Sequence, residues 1–183
     1  MKKILIDTNS INGKRSALID GEKLLDFDLE FQNTNFQKGS IHKGKITKIE
    51  ASLEAIFVEM GSTRHGFLPF KELSPDHFDP SKTGSERFKI KEGDDIVIQI
   101  EKEERANKGA ALSTYISLAS RYIVLMTNHP NGGGISRRIS GDDRDKIKNL
   151  LDNLEIPEKM SVIIRTAGID QQIEQLAWDL EYL

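Results

Sequence analysis

Gly44 to Phe70 reads GKITKIEASLEAIFVEMGSTRHGFLPF, and the parity of its apolar residues decides the fold. Alternation at period two marks strands over Lys45 to Ile49, Leu53 to Met60 and Gly66 to Phe70. In the second of these, Ile56, Val58 and Met60 share one face and leave Phe57 on the other beside Glu59. In the third, Leu68 and Phe70 share a face and leave Phe67 with His65 and Pro69. Two phenylalanines on adjacent strands are therefore expected to point away from the core. The run Ala55-Ile56-Phe57-Val58 fits equally a strand buried on both faces, and pattern alone leaves both readings open. Further strands follow at Ile96 to Ile100 and Ala110 to Ile116, while the connection from Leu73 to Glu92 carries Pro75, Pro80 and Gly84, the punctuation of a surface loop. Five strands with one long irregular connection match the partly open Greek-key barrel of the OB-fold.

Upstream, strands are expected over Lys3 to Ile6, Arg15 to Ile19 and Leu24 to Leu29, with a hairpin turn at Asp20-Gly21. That segment is too small to bury itself, and Asn33-Thr34-Asn35 reads as a linker. Downstream of Arg121 the period changes. Tyr122 to Met126 reads as a strand and Asn131-Gly132-Gly133-Gly134 as a turn. Ser140 with Asp143 resembles a capping box that opens a helix whose apolar face is Ile147, Leu150, Leu151 and Leu154. Pro157 follows its end, Val162 to Arg165 reads as a strand, and Ile169, Ile173, Leu176, Leu180 and Leu183 form a second amphipathic helix. That stripe reaches the final residue, as expected of a chain cut from a longer one. The fold class is α+β and β-rich.

Composition narrows the chemistry. The 183 residues are 37% hydrophobic and 30% charged, as in a folded domain rather than a disordered one. Without cysteine, disulfides, cysteine-based zinc sites and cysteine nucleophiles are excluded. No apolar run approaches the ~20 residues of a bilayer span, and the start is too short in apolar residues for a secretory signal, so a cytoplasmic protein is expected. The net charge of −3 opposes a uniformly basic nucleic-acid binder, but the charge is sided. Lys38, Lys43, Lys45 and His42 cluster without an acid, whereas Asp26, Asp28, Glu30 and Glu101, Glu103, Glu104 gather elsewhere. An exposed aromatic pair beside lysines is what single-stranded RNA recognition needs: any base stacks on a ring, and Lys43, Lys45 or Lys108 can meet phosphate. Lysines more often mark plain solvated surface. The histidines His42, His65, His77 and His129 show no metal-ligand spacing, and Asp7 alone at a strand end lacks the converging carboxylates of a two-metal site.

Several motifs in order, Gly44-Lys45-Ile46-Thr47, Ser52 to Val58, Arg64 to Pro69, Lys102 to Leu112, Gly133 to Ile139 and Ile164 to Gly168, resemble the ribonuclease E/G family over essentially the whole chain. The basic and aromatic details sit nearer its ribonuclease E branch. The resemblance implies a layout: residues 1–35 as the first strands of an incomplete ribonuclease-H-like subdomain, 36–118 as an S1 domain of the OB-fold type, and 119–183 as a truncated α/β sensor of the RNA 5′ end. It implies that Phe57, Phe67 and Lys108 contact single-stranded RNA, that Arg165 and Thr166 hold a 5′-monophosphate with Arg137 assisting, and that Val124 touches the terminal base. Ser120 is counted with these 5′-monophosphate-binding residues although it stands where the family carries glycine, and Met60 stands where it carries an aromatic ring, which removes one stacking surface. Guanidinium groups and a hydroxyl suit a phosphate. Read without the resemblance, Arg165 is a strand-end arginine and Arg137-Arg138 a solvated pair.

The implied function is the RNA-binding and 5′-end-sensing part of a single-strand endoribonuclease in RNA processing and mRNA decay. The cutting residues, with the magnesium and structural zinc of the complete enzyme, are expected beyond residue 183, so no catalytic or metal-binding residue is assigned here. Implied partners are single-stranded RNA with a 5′-monophosphate, further copies of the complete protein and an RNA-decay complex, rather than DNA. Peripheral contact with the inner membrane would come from regions outside the chain. A standalone S1-type regulator, or the equivalent part of ribonuclease G, is the alternative.

Overall fold

The computed structural model describes residues 1–8, 13–30, 36–130 and 132–183. The expected linker Asn33-Thr34-Asn35 and the turn residue Asn131 lie outside them. The chain divides into two units, Met1–Gln37 and Lys38–Leu183.

The first unit is a three-stranded antiparallel sheet of β1 (Lys2–Asp7), β2 (Lys14–Asp20) and β3 (Lys23–Glu30), in that order. The hairpin turn falls one residue later than expected, on Gly21-Glu22, because Asp20 still pairs with Lys23. Gly21 takes φ +60° there, the positive value that the first residue of a tight hairpin turn needs and that glycine adopts without steric cost. Asp20 is drawn into the strand by an ion pair with the amino terminus at 2.9 Å. Ile4, Ile6 and Phe27 remain more than half exposed, as expected of a segment too small to enclose a core.

The second unit begins with a closed barrel of β4 (Ile41–Glu50), β5 (Ala55–Glu59), β6 (Gly66–Pro69), β7 (Asp95–Lys102) and β8 (Ala111–Ser113), ordered β4-β5-β6-β8-β7. Only β6 and β8 run parallel. Closure buries Ile46, Ile56, Val58, Leu68, Ile96, Ile98, Ile100 and Leu112, the inner face that period two selects, and Ala55 on the face of Phe57 is buried as well. Leu53 does not begin the second strand: Ala51–Leu53 is a 3-10 turn, and Glu54 takes φ +48° to start β5 at Ala55. Met60 lies just past its end. In the long connection, the Arg87 guanidinium sits 5.1 Å from the Phe88 ring centroid, 5.4 Å from that of Phe78 and 5.8 Å from that of Phe70. These cation–π contacts give a loop rich in proline and glycine an anchor of its own.

The run expected as one strand, Ala110 to Ile116, divides between two sheets. After β8, β9 (Ser117–Ala119) joins β10 (Ile123–Met126), β11 (Gly134–Ile135) and β12 (Ser161–Ile164) in the order β11-β12-β10-β9. Polar side chains make the break. The buried Gln99 amide donates from Nε2 to the carbonyls of Gly39 and Ser117, each at 2.8 Å, and its Oε1 accepts from the Ser117 backbone N–H at 2.8 Å. Asn128 accepts from the Ile116 N–H and donates to the Thr114 carbonyl at 2.7 Å.

Two helices cover the second sheet, α1 (Asp142–Asp152) burying Ile147 and α2 (Ile173–Tyr182) burying Leu176 against Ile123, Leu125, Val162 and Ile164. Ser140 does not cap α1: Gly141 occupies that position at φ +62°, with no side-chain cap. Asp142, Asp143 and Asp145 in the first turn oppose the positive end of the helix dipole instead. The second helix starts four residues later than Ile169, because Thr166–Gly168 forms a 3-10 turn and Gln172 with Gln175 forms the capping box. Among the described residues no helix is long and apolar enough to cross a membrane.

Candidate nucleic-acid interface

The outer side of β5 and β6 is built by register. Phe57 pairs directly with Phe67, so the two rings stand side by side on the face opposite Ile56, Val58 and Leu68. Phe57 is half-buried and Phe67 is 36% exposed, while the flanking Ile56 and Leu68 are fully buried. The outward-facing reading of this pair therefore holds over the strand buried on both faces. A groove of about 520 Å³ opens over the rings, bounded by His65, by Lys102 at the end of β7 and by Arg105, Asn107 and Lys108 from the segment that follows.

Close approach of backbone builds that groove. A Cβ on Gly109 would lie 2.1 Å from the His65 carbonyl oxygen, so only glycine lets the Arg105–Lys108 turn sit flush against the start of β6. A Cβ on Gly66 would strike Leu112 at 2.4 Å, which fixes how closely β6 approaches β8. The turn is closed by reciprocal backbone bonds between Arg105 and Lys108 at 3.0 and 2.8 Å. Arg64 holds it from outside, donating to the Ala106 carbonyl and lying 3.7 Å from Glu104. Glu103, the acid bordering the groove, accepts from the Lys38 backbone N–H at 3.0 Å. Lys108 is exposed at the rim.

The other two candidate lysines stand on β4 and do not line this groove. Lys43 forms an ion pair with Asp95 at 2.7 Å on the neighbouring strand β7. The Lys43 hydrogen bond holds the Asp95 carboxyl below its ordinary range. The patch that is free of acid in sequence is thus partly neutralised across the sheet. Lys45 is exposed two residues further along.

In the second sheet, Arg165 follows the last residue of β12. Its backbone N–H donates to the Tyr122 carbonyl at 2.8 Å, and its guanidinium donates to the Ser120 carbonyl. The side chain is otherwise exposed, as are Thr166 and Arg137. Arg137 comes to the same end of the sheet because Ser136 donates to the Ile164 carbonyl at 3.0 Å. Val124 is half-buried on β10, opposite Ile163, one register step inside the Ile123–Ile164 pair. Gly168 packs tightly beneath, since a Cβ there would lie 2.9 Å from Ile164.

Ser120 contributes its backbone rather than its hydroxyl, which donates to Asp179 of α2 and lies 3.0 Å from the Ile123 carbonyl. The same Asp179 oxygen accepts from the N–H groups of Tyr122 at 2.9 Å and Ile123 at 3.0 Å. Neither Asp179 nor the groove residues His65, Arg105 and Asn107 had been singled out as functional from sequence. The offset of 59 residues between Ser120 and Asp179 leaves no local signal.

The chain has no cysteine, and among the described residues no group of three or more His, Asp or Glu side chains could hold a metal ion. These residues offer no donor set for the magnesium and zinc that the resemblance implies for a complete enzyme.

A closed five-stranded barrel carrying an outward aromatic pair and a cationic rim, joined to a small helix-covered sheet, defines a protein of the S1 RNA-binding class. The sequence model of the S1 RNA binding domain matches residues 35–115, and that of the Ribonuclease E/G family matches residues 117–183. Ribonuclease E of Escherichia coli strain K12 is 50% identical over 186 residues, covering 100% of this chain and 18% of that protein. The putative ribonuclease E of Buchnera aphidicola subsp. Baizongia pistaciae is 46% identical, covering 100% of this chain and 45% of that protein. Ribonuclease G of Haemophilus influenzae is more distant, 31% identical over 94% of this chain and 36% of that protein. The chain is therefore similar over its whole length to ribonuclease E proteins and more distantly to ribonuclease G, and it spans less than half the length of each of these relatives.

Proposed function

We propose that this chain recognises the RNA substrate of a ribonuclease-E-like single-strand endoribonuclease acting in RNA processing and mRNA decay in the cytoplasm. The observation that carries this reading is the convergence of Phe57, Phe67 and Lys108 on one groove. Bases stack on the two rings, and Lys108 with Arg105 meets the phosphates. A duplex keeps its bases paired inside, so an aromatic surface of this kind selects single strands. Lys43 and Lys45 add long-range attraction along β4 rather than direct contact. We assign residues 1–35 to a ribonuclease-H-like segment, 36–118 to the S1 domain and 119–183 to the 5′ sensor. Copies of the complete protein, its metals and an RNA-decay complex belong to this proposal in the same way.

At the sensor, the Ser120 carbonyl accepts from the Arg165 guanidinium, exposed Thr166 follows in the chain, and Arg137 lies at the same sheet end. That arrangement supports capture of a 5′-monophosphate, with Val124 offering an apolar surface to the terminal base. The test is a binding titration of one single-stranded oligonucleotide bearing either a 5′-monophosphate or a 5′-hydroxyl. The monophosphate is expected to bind about tenfold to a hundredfold more tightly, in line with ~1.5 to 3 kcal/mol for charge-assisted hydrogen bonds. Arg165→Ala removes the difference and leaves the hydroxyl-ended RNA unchanged. Equal loss for both ends would make Arg165 a general backbone contact and withdraw the sensor assignment.

A further inference from the structure

His65 borders the same groove as Phe57 and Phe67, and its ring is tied down by a residue that breaks strand register. Between Ile46 and Lys48 the pairing of β4 with β5 shifts by one, and Thr47 is the extra residue. The Thr47 hydroxyl lies 3.0 Å from the Phe57 carbonyl oxygen and 3.1 Å from the His65 Nδ1. A carbonyl only accepts, so the single hydroxyl proton of Thr47 goes to Phe57. The hydroxyl oxygen must then accept from His65, which places the ring proton on Nδ1. A neutral imidazole protonated at Nδ1 carries its lone pair on Nε2. The cationic side chains around the groove, Lys102, Arg105 and Lys108, supply donors only, and its acid Glu103 accepts from the Lys38 backbone.

We propose that His65 is a base-reading residue of the groove, presenting Nε2 as a neutral acceptor to a ring or amino N–H of the base stacked on Phe57 and Phe67. Thr47 is the positioning residue, because it sets the tautomer without touching RNA. This inference rests on the groove being the RNA site. For uracil the matching donor is N3–H, and methylation at N3 deletes it while the ring and the neighbouring carbonyl acceptors stay in place.

The test compares single-stranded oligouridylate with the same oligonucleotide made from N3-methyluridine. The folded wild type is expected to bind the methylated RNA about threefold to tenfold more weakly, the range of one neutral hydrogen bond. His65→Phe keeps a stacking ring but no acceptor, and is expected to bind both RNAs alike. Equal losses on methylation in wild type and His65→Phe would overturn the proposal, and so would a wild type indifferent to methylation. Long-range proton–nitrogen NMR on the wild type supplies a readout independent of any variant folding: His65 should show the Nδ1-protonated tautomer, shifting toward Nε2-protonated in Thr47→Val. An Nε2-protonated His65 in the wild type would also overturn it. Should Phe57→Ala and Phe67→Ala leave oligouridylate binding untouched, the groove assignment itself fails, a result distinct from failure of the His65 role.

Discussion

The Phe57 and Phe67 rings meet edge to face, their centroids 6.0 Å apart and their planes at 69°, on residues paired directly across β5 and β6. Each ring therefore supports the other as well as a base. Alanine at either position is expected to weaken binding of single-stranded RNA by ~1 to 3 kcal/mol. The double variant should lose less than the two losses summed, because the partners touch. Anisotropy titrations measure this, with circular dichroism melts beside them. A loss of stability near the ~3 to 5 kcal/mol of a fully buried phenylalanine would mark either ring as core instead.

Gly109→Ala tests the groove wall. Its Cβ would meet the His65 carbonyl at 2.1 Å, so the Arg105–Lys108 turn must move outward and carry Lys108 with it. RNA affinity should fall while amide NMR signals of β10 and β12 stay in place. Unchanged affinity would show that the turn position does not matter for binding.

Asp179 joins α2 to the turn that positions the Arg165 guanidinium. In Asp179→Ala the N–H groups of Tyr122 and Ile123 lose their acceptor, at a cost of roughly 1 to 3 kcal/mol. Urea denaturation should register the loss, and the 5′-monophosphate preference should shrink with it. Stability within about 0.5 kcal/mol of the wild type, the scatter of ordinary surface substitutions, would contradict the role given to this carboxylate.

The long connection carries a pH dependence at His77. Burial pushes its imidazole below the ordinary 6.5, opposed by Asp76 and reinforced by Lys89. The folded state thus holds the proton less well than the unfolded chain, and stability is fully present above pH 6.5. It declines as pH falls from 6.5 through the lower folded value. An NMR titration of the His77 ring should give a midpoint below 6.5, and denaturation at pH 5.5 should show a loss relative to pH 7.5 that His77→Gln reduces. A midpoint at or above 6.5 would refute this.

Period two made the barrel legible because the inner face of its strands is apolar and buried, while much of the other face is exposed. Parity set Ile56, Val58 and Leu68 on one face and Phe57 and Phe67 on the other, and left open whether the second face is buried as well. Parity could not show that Ala110 to Ile116 divides between two sheets, because that break is made by Gln99 and Asn128, polar side chains distant in sequence. It also missed the late start of α2, where glutamines rather than serine or aspartate form the capping box. Lys108 could be placed on a loop from its small neighbours. Nothing local signalled that Gly109 would bring that loop against His65, or that Asp95 would neutralise Lys43 across the sheet. Residues whose roles depend on tertiary approach were hidden, whereas those whose roles depend on strand face were visible.

The claim that this groove is the RNA site is tested most directly by mapping amide and aromatic NMR shifts as single-stranded RNA is titrated into the chain. The account predicts that the largest changes fall on Phe57, His65, Phe67, Arg105 and Lys108, with smaller ones at Lys43 and Lys45. Changes centred on another face of the barrel, or none at these five residues at saturating RNA, would contradict it.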